Sequence, residues 1–526
     1  VGSSANTGTG GGASTYNADT SGAGGGGGGL YGTSDLSTIF PGSGGGGGGA
    51  VYCNGACPAG SGAEGGSGGG IIYIIADSVS NSGTISARGA AGADGGDDPV
   101  PYGGSGGGSG GSILIEASSW TNNGTLTVAG GAGGAIGGGT YPGTGGGDGG
   151  VGRTNIAASG WHGSCWQFRK KITLNAGLVE ADQTDFPVLI SFTGDSDLAA
   201  GAQSDFDDAL FTSANGTTRL DHEIEDFDST NGDIVAWVKI PFLSSSTDTD
   251  IYMYYGCGTA ENQENPPEVW SNGFAGVWHL AEEQSGIGNS DIYKDSTYSG
   301  NHLDDNVSDN NQDGRANGGQ GFDGTDDIAD IADPGGAWEF ADGGLDAGTG
   351  DFTISAWIRI SSSLTEVFPT IVAKGAGTNT QNGYWFNYYL SSDTIDLRVS
   401  DGAARFIANS AALGSTANQW HHVYAVFDRS VGSDTAYFYL DGNPKGSESS
   451  GLIDGNSASG DNDFSIGRRE GNVTDYQWLG NLDEVRVHST LRSADWIKTE
   501  HNNHSNQGIG AGKFIKELGN EETGID

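Results

Sequence analysis

The chain has 526 residues, of which 99 are glycine, and 66 acidic against 22 basic side chains give it a formal charge of −44. Such an acidic chain is not expected to bind nucleic acid or an anionic membrane surface, because phosphate groups are bound by clustered lysine and arginine. No apolar run approaches the ~18–20 residues that a membrane span needs. The chain begins at Val1 and its only methionine is Met253. We therefore expect a mature extracellular or cell-surface protein whose secretion signal has been removed.

Residues 1–160 form a glycine-rich block that holds 56 of the 99 glycines, nine acidic residues and only two basic ones. Within it, NSGTI at 81–85 returns as NNGTL at 122–126, and the preceding apolar segments share the same offset of 41 residues. A weaker third copy aligns Gly152 with Gly111 and Ile156 with Ile115. A fixed period of this length predicts stacked repeats.

The glycine runs of this block have two interpretations. They are flexible linkers, or they pack as extended helices with three residues per turn that exchange backbone hydrogen bonds. The apolar segments at 71–75 and 113–115 favour packing, since a solvated linker would not contain them. We predict polyglycine-type or β-solenoid-like packing.

Residues 165–265 show alternating strand patterns at 166–174, 186–192, 234–240 and 250–255, which predict a β-sandwich. If the first and last of these strands pair antiparallel, Cys165 and Cys257 lie close enough to form a disulfide. Cys53 and Cys57 are spaced for a second disulfide, within a tight loop.

Four segments of this region resemble a domain family of unknown function that occurs in archaeal and bacterial surface proteins, commonly just before a laminin-G-like domain. They are WQFRK at 166–170, DFPVLI at 185–190, DALFT at 208–212 and IYMYYG at 251–256. The resemblance brings no catalytic residue. HEIEDFD at 222–228 is similar to the catalytic strand of jelly-roll glycosidases, but Phe227 stands where the third carboxylate is needed.

Residues 270–505 are rich in aromatic strand segments separated by Gly, Asn and Asp turns, which predicts a two-sheet jelly roll. Seven segments resemble the laminin-G-like, concanavalin A-like superfamily: GVWHL at 276–280, DSTYSGN at 295–301, GFDG at 321–324, FTISAWI at 352–358, WHHV at 420–423, YLDG at 439–442 and LDEVRV at 482–487. The resemblance implies a lectin, an adhesion module or a related sugar binder. Residues 506–526 are expected to be a C-terminal tail.

The strongest metal motif is DNNQDG at 309–314, which matches the first half of a calcium loop through Asp309, Asn311 and Asp313. Gln320 occupies the twelfth position in place of Glu, so the motif is either a calcium loop of another type or a solvated acidic turn. The superfamily resemblance suggests three more calcium ligands: Asp295, Asp323 and Asp326.

Other side chains are candidates for ligand contact or modification. Tyr384, Trp385 and Trp478 either stack on sugar rings or fill the core of the sandwich. His421 and His422 are adjacent on a strand and point to opposite faces, so we expect one packed and one exposed ring. Asn-x-Ser/Thr sequons permit glycosylation at Asn123, Asn215, Asn306, Asn472 and Asn503.

The sequence thus predicts a non-enzymatic, all-β extracellular protein: a glycine-rich repeat block followed by two β-sandwich domains, the last a jelly roll. Two functions remain open. In one, copies self-associate into a filament or surface layer, because stacked repeats need at least about three copies for stability and the block has two and a half. In the other, the chain is an adhesin whose jelly roll binds a glycan or protein partner with calcium. Glycoside hydrolysis is the least favoured alternative.

Overall fold

The computed structural model describes most of the chain in two compact units. We call residues up to Gln167, with Asn215–Thr218 and Glu522–Asp526, the glycine unit, and Phe168–Ala214 with Arg219–Glu521 the sandwich unit. The described residues are 26–27, 41–47, 63–96, 103–137, 145–157, 161–163, 165–282, 288–308, 311–336, 338–375, 381–429, 434–449, 453, 456–469 and 475–524. Cys53, Cys57, Asp309 and Asn472 lie outside them.

Parallel strands in the glycine unit confirm the 41-residue repeat. They are β1 (Ile71–Asn81), β2 (Thr84–Ser86), β3 (Ser112–Asn122), β4 (Thr125–Thr127) and β5 (Arg153–Ala157). β1, β3 and β5 form one sheet and β2 and β4 another. Ile71 lies opposite Ser112, and Ser112 lies opposite Arg153, each 41 residues further along.

Apolar side chains and paired amides fill the interior of this stack. Ile113 and Ile115 are fully buried beside Ala87, with Ile72 and Ile74 packed against them. The repeated asparagines also pair, since Asn81 Nδ2 donates to Asn122 Oδ1 at 2.8 Å. The 41-residue period therefore brings the repeated asparagines to the same level of the stack.

The glycine runs pack as a bundle of extended chains around residues 103–111. The N–H groups of this central run fall into three rows, and each row donates to a different neighbouring run. Residues 105, 108 and 111 donate to 87–93, residues 106 and 109 to 43–46, and residues 107 and 110 to 147–150. A threefold repeat of this kind is the backbone pattern of polyglycine helices. The predicted polyglycine-type packing is confirmed.

The close approach of the backbones explains why the run is glycine. A Cβ atom on Gly108 would lie 2.0 Å from the carbonyl oxygen of Ser67, and one on Gly107 would lie 2.0 Å from that of Gly131. Ser105 and Ser109 are the side chains that the run does carry, and both are buried with hydroxyls bonded to neighbouring backbone.

The sandwich unit contains the remaining elements, apart from the two-residue strand at Glu522–Thr523 (β30), which falls in the glycine unit. Its first strands are β6 (Phe168–Leu174), β7 (Gln183–Phe192), β8 (Leu210–Ser213), β9 (Arg219–Leu220), β10 (His222–Asp228), β11 (Asp233–Leu243) and β12 (Thr249–Tyr255). The next are β13 (Phe274–Trp278), β14 (Asn289–Tyr293), β15 (Leu303–Asn306), β16 (Asn311–Asp313), β17 (Gly318–Asp323), β18 (Ile328–Ile331), β19 (Phe352–Ile360), β20 (Thr370–Lys374), β21 (Asn382–Tyr389) and β22 (Thr394–Asp401). The last are β23 (Arg405–Asn409), β24 (Trp420–Asp428), β25 (Thr435–Leu440), β26 (Asn443–Glu448), β27 (Phe464–Ile466), β28 (Leu479–His488) and β29 (Ile515–Leu518). The helices are α1 (Ser196–Gly201), α2 (Pro266–Val269) and α3 (Ala494–Ser505), and Ala176–Leu178 and Phe340–Asp342 form 3₁₀ turns.

β6 to β12 build the middle sandwich from two sheets. One sheet has the order β10-β11-β7, and the other runs β29-β6-β12-β8-β9. The predicted antiparallel pairing of its first and last strands is present, with Phe168 opposite Tyr255. Cys165 and Cys257 are both disulfide-bonded, and no described cysteine is free.

The expected C-terminal tail is instead part of this sandwich. β29 pairs antiparallel with β6, with Ile515 opposite Leu174. Phe514 and Ile515 are buried in the same apolar core as Ile172. The tail prediction is therefore wrong for 515–518, because a short apolar segment next to an open sheet edge adds a strand rather than remaining in solvent.

β13 to β28 form a jelly roll of two eight-stranded sheets. The first sheet has the order β16-β17-β28-β19-β24-β25-β26 with β13 also on β28, and the second runs β14-β15-β18-β27-β20-β21-β22-β23. Their facing side chains make a single large core that includes Trp278, Phe352 and Trp478.

Helix α3 joins the jelly roll to the middle sandwich. Its N-cap, Ser493, accepts a hydrogen bond from the Trp496 backbone N–H at 3.1 Å. Asn503 accepts from the Leu189 N–H at 2.7 Å and donates to the Leu189 carbonyl at 3.1 Å, so it bonds to β7 like another strand residue. Ile497 of this helix packs on Tyr424 and Val426, so the helix covers that part of the outer face of the first sheet.

Candidate functional site

A polar cleft opens at one end of the first sheet, on the outer face of the jelly roll. We call it the sheet-end cleft; it has a volume of about 480 Å³. Its polar lining residues are Asp313, Asp323, Arg359, Ser361, Asn418 and Asn481. Carboxylates, amides and a guanidinium offer the mixture of acceptors and donors that a polyhydroxylated ligand requires.

Strand register places these groups in rows. Arg359 on β19 lies opposite Asn481 on β28, which lies opposite Gly321 on β17, so a position without a side chain continues the row. Gly480 has a φ of +136°, and a Cβ atom there would lie 2.1 Å from the Arg359 carbonyl oxygen. Glycine at position 480 therefore allows β28 to approach β19 closely, and Gly321 continues the row without a side chain.

An aromatic ring borders the same row. Trp420 on β24 lies opposite Arg359 and is half-buried. Strand alternation places it on the same outer face as His422, two residues on. The sequence did not single out Trp420, because it does not show which of His421 and His422 is the buried one.

Two of the predicted calcium ligands lie together at the edge of this cleft. Carboxylate oxygens of Asp323, Asp326 and Asp327 lie within 4.8 Å of one another. Asp323 and Asp326 are exposed, and Asp327 is buried with its oxygens accepting from the Ser308 and Asp323 N–H groups. Burial raises the pKa of Asp327, and those two hydrogen bonds act in the opposite direction. Hard oxygen donors at this spacing suit a calcium ion.

The remaining predicted metal ligands do not join this group. Asn311 forms part of β16, and Asp313, although exposed, lines the cleft and is not in the carboxylate group. Asp295 is buried, and its oxygens accept hydrogen bonds from the backbone N–H groups of Val277, Thr297 and Asn301. The metal prediction for Asp295 is wrong, because its carboxylate oxygens already accept the hydrogen bonds that hold this turn.

The sugar-stacking prediction is also wrong. Tyr384 and Trp385 are 0 % exposed and Trp478 is 1 % exposed. Tyr384 donates to the Leu345 carbonyl at 2.9 Å, and Trp385 Nε1 donates to the Gly375 carbonyl at 2.7 Å. All three rings are buried, so none of them presents a face on which a sugar could stack.

The glycosylation sequons fall in different environments. Asn123 and Asn215 are exposed in turns, and Asn306 is half-buried on β15 with its amide donating to Asp330. Asn503 is 1 % exposed and bonded to β7. Glycosylation at Asn503 is therefore excluded in the folded chain, since its amide is already used.

The acidic segment at 222–228 borders a second cleft, of about 440 Å³. The side chains of Glu223 and Glu225 are largely buried there, whereas Asp226 is exposed. Glu223 accepts from Trp270 Nε1 at 2.6 Å and Ser296 Oγ at 2.6 Å. Glu225 accepts from Trp237 Nε1 at 2.9 Å. The His279 ring lies between acids, 2.7 Å from Glu484 and 3.4 Å from Glu223.

Burial and charge shift the pKa values of these groups in opposite directions. Burial alone would lower the pKa of His279, but Glu484, Glu223 and Glu225 raise it well above its usual value. Burial raises the pKa of Glu225 well above normal, opposed by His279 and reinforced by Glu484 and Asp483. The imidazolium thus occupies the place between these carboxylates.

A buried ionic layer continues from this point under helix α3. Arg486 pairs with both Glu484 and Glu500, and all three side chains are at most 1 % exposed. The Arg486 guanidinium lies 4.6 Å and 4.7 Å above the rings of Trp237 and Trp270. We define the ionic layer as Glu223, Glu225, His279, Glu484, Arg486 and Glu500. It joins the two sandwiches through charge as well as apolar contact.

The adjacent residues His421 and His422 lie on opposite faces of β24 and differ in burial, as neighbouring positions on a strand require. His422 is buried and stacks on Trp357 with ring centroids 4.6 Å apart. His421 is half-buried and its Nδ1 lies 2.9 Å from Asp441. They do not share a site.

Two stretches of the chain match known families, and both predicted resemblances are confirmed. Residues 333–498 match a laminin-G model described as the concanavalin A-like lectin/glucanases superfamily. Residues 205–283 match a domain of unknown function (DUF2341). No curated protein is similar to the chain.

Solved structures resemble parts of the chain at low identity. The Ruminococcus gnavus IT-sialidase CBM40 bound to alpha2,3 sialyllactose is 13% identical, with a TM-score of 0.28, over 35% of this chain and 96% of that one. The botulinum neurotoxin serotype D binding domain is 15% identical, with a TM-score of 0.31, over 45% of this chain and 52% of its own length. A SAP-like pentraxin from Limulus polyphemus is 15% identical, with a TM-score of 0.25, over 34% of this chain and 84% of that one. TM-scores of this size support no inference about ligand or activity. None of the helices in the described ranges has the length and hydrophobicity of a membrane-spanning helix.

Proposed function

We propose that the chain is a non-catalytic, extracellular surface protein whose jelly roll binds a glycan in the sheet-end cleft. The observation that carries the proposal is the cleft itself: its polar side chains converge on a row that Gly321 continues without a side chain, and part of its lining belongs to the stretch that matches a concanavalin A-like model. Arg359 and Asn481 are placed to bond sugar hydroxyls, and Trp420 to stack on a sugar face.

Calcium is part of this proposal. A cation held by Asp323, Asp326 and Asp327 would neutralise three adjacent carboxylates at the cleft edge. It would then fix the turn from which Asp323 lines the cleft. Self-association through the glycine unit stays a prediction from the sequence.

The test is a glycan-array screen of the full chain, followed by calorimetry with the best glycan. Asn481→Ala and Trp420→Ala should each weaken binding at least about tenfold, the equivalent of ~1.4 kcal/mol. Lys516→Gln is the matched control, because it removes an exposed side chain of the middle sandwich. Wild-type affinity in both cleft variants would overturn the assignment of the cleft.

Calcium is tested separately. Asp323→Asn with Asp326→Asn should abolish one calcium-binding event and weaken glycan binding, measured by titration of calcium and of glycan into chelator-treated protein. Calcium uptake equal to wild type in this double variant would remove the cation from the proposal and leave the cleft as a metal-independent site.

A further inference from the structure

Lys374 is a buried lysine in contact with two buried carboxyl groups of the jelly roll. Its Nζ lies 2.5 Å from Asp333 Oδ2 and 3.0 Å from Asp346 Oδ1, and all three side chains are at most 1 % exposed. The centre of the Trp338 ring lies 5.1 Å from the same nitrogen, so an aromatic ring covers one side of the group. We call Lys374, Asp333 and Asp346 the lysine triad.

The triad connects two strands that do not pair with each other. β27 pairs with β18 on one edge and with β20 on the other, and Phe464 lies opposite both Ile331 and Lys374. Asp333 follows the end of β18 by two residues, so the Lys374 side chain reaches it across β27. A covalent bond at this contact would join all three strands at one end of the second sheet.

Lys374 is a single positive charge between two acids. Among the described residues, neither Asp333 nor Asp346 has a second ion-pair partner. Burial raises the pKa of Asp346, opposed by Lys374 and reinforced by Asp333. Because a buried carboxylate without its own counter-ion is costly, we expect Asp346 to hold a proton. The triad then consists of an ammonium, a carboxylate and a carboxylic acid, all shielded from water.

The backbone around the triad suits a neutral amine as well as an ammonium. Nζ donates to the carbonyl oxygens of Gly460, at 3.2 Å, and of Asn462. A neutral amine has two N–H groups and one lone pair, so these carbonyls accept both N–H groups and leave the lone pair for Asp333. The Gly335 N–H donates to Asp333 Oδ1, the other carboxylate oxygen, at 2.7 Å. There it would stabilise the negative charge that develops when Cγ is attacked.

We propose that Lys374 and Asp333 form an intramolecular amide cross-link, with Asp346 carrying the protons. The ammonium first gives a proton to Asp333 Oδ2, and the neutral Nζ then attacks Cγ. Oδ2 takes a second proton from Asp346 and leaves as water, and Asp346 recovers a proton from the nitrogen. The Cγ–Nζ bond forms and the Cγ–Oδ2 bond breaks, so the step needs no oxidant or co-reactant. The modification is independent of glycan binding.

Two other lysine–aspartate pairs have similar distances but lack these surroundings. Lys516 Nζ lies 2.5 Å from Asp248 Oδ2, but the Lys516 side chain is half exposed, so water solvates the ammonium. Lys170 Nζ lies 2.6 Å from Asp195, but its second acid, Asp197, is 44 % exposed. Neither pair has a buried acid that could carry a proton. We expect both to remain ion pairs, and they serve as internal controls.

The test is the intact mass of the full chain, produced in a host that does not glycosylate and measured after denaturation and disulfide reduction. The mass should be one water below the value calculated from the sequence. Trypsin should release residues 316–359 joined to residues 360–398, because it does not cleave after an amidated lysine. Fragmentation should place the branch between Lys374 and Asp333. Peptides that contain Lys170 or Lys516 should be linear.

Variants separate the roles of the three side chains. Lys374→Arg keeps a cation in the triad and should show its full calculated mass. Asp346→Asn should do the same, because an amide has no acid proton to transfer. Asp333→Asn should release ammonia in place of water and reach the same final mass as the cross-linked wild type.

The wild-type mass and its branched peptide decide the question even if a variant fails to fold. A wild-type mass equal to the calculated value, or a branch at Asp346, would overturn the proposal. So would a loss of water that persists in Lys374→Arg, since it would then arise elsewhere, for example from cyclisation at an Asp-Gly pair.

Discussion

The glycine unit and the sandwich unit are each stabilised by a different part of the polypeptide. In the glycine unit the interior is backbone, and runs such as 103–111 contact their neighbours through N–H and carbonyl groups. In the sandwich unit the interior is side chain, with two large apolar cores and the buried ionic layer. The first interior excludes a single added methyl group, whereas the second is sensitive to charge. Three experiments test whether the two units are stabilised in these different ways.

The largest effect is expected from Gly108→Val in the central run. Its Cβ atom would lie 2.0 Å from a carbonyl oxygen that has no room to move within the bundle. We expect loss of cooperative melting of the glycine unit, a cost above ~4 kcal/mol, with the sandwich unit unchanged. Gly83→Ala is the control, because a Cβ atom there meets nothing within 4 Å. Amide hydrogen exchange reports each unit separately, and protection retained at residues 103–111 would show that the bundle is not packed as described.

Next in size is Arg486→Met in the ionic layer. Removing this guanidinium leaves Glu484 and Glu500 buried without it, and breaking a buried pair in this way costs about 3–5 kcal/mol. Urea unfolding of the sandwich unit should show this loss. Lys516→Gln breaks an exposed pair with Asp248 and should cost no more than ~1 kcal/mol. A similar cost for both substitutions would mean that the layer is solvated and does not join the sandwiches.

The smallest expected effect, counted per pH unit, is a loss of stability as the pH falls, and we expect it only in the sandwich unit. Burial lowers the pKa of His222 and of His501 to about 4, and lowers those of His422, His488 and His504 well below normal. Each is neutral when folded, so its contribution is complete above pH ~6.5 and is lost as pH falls toward 4, by up to about 1.4 kcal/mol per pH unit. Denaturant unfolding between pH 7 and 4 measures the slope.

Histidine replacement provides the control for this slope. His222 is buried on β10 with its ring tilted against that of Phe211, so His222→Gln should lower stability at pH 7 but flatten the decline below pH 6.5. Acid unfolding of the glycine unit at the same pH as the sandwich unit would contradict the separation, because the glycine unit contains a single histidine, His162, whose side chain is only half-buried.

The glycine unit and the sandwich unit also differ in how much of their structure could be predicted from the sequence. The 41-residue offset gave the register of β1 on β3, because parallel in-register stacking turns a sequence period directly into a contact. The alternating strand patterns predicted at 186–192 and 234–240 likewise fall within β7 and β11. The ionic layer could not be found this way. Glu223, His279 and Glu500 are far apart in the chain, and nothing local indicates that they meet.

The candidate site shows the same limit. Asp323 and Asp326 lie together because they belong to the same turn, and their role as calcium ligands stays a prediction. Tyr384 and Trp385 were misplaced because they are neighbours on β21 and both faces of that strand are buried, which the sequence of the strand does not reveal.

The three rows of donors in the central run also limit how the length of this chain can change. Each row recurs every third residue, so inserting or deleting three residues returns every later N–H to the neighbour it had before. A change of one or two residues turns all later donors by about a third of a turn, toward the wrong neighbour. Related chains should therefore differ in the length of their glycine runs by multiples of three, and the strands that follow keep their orientation.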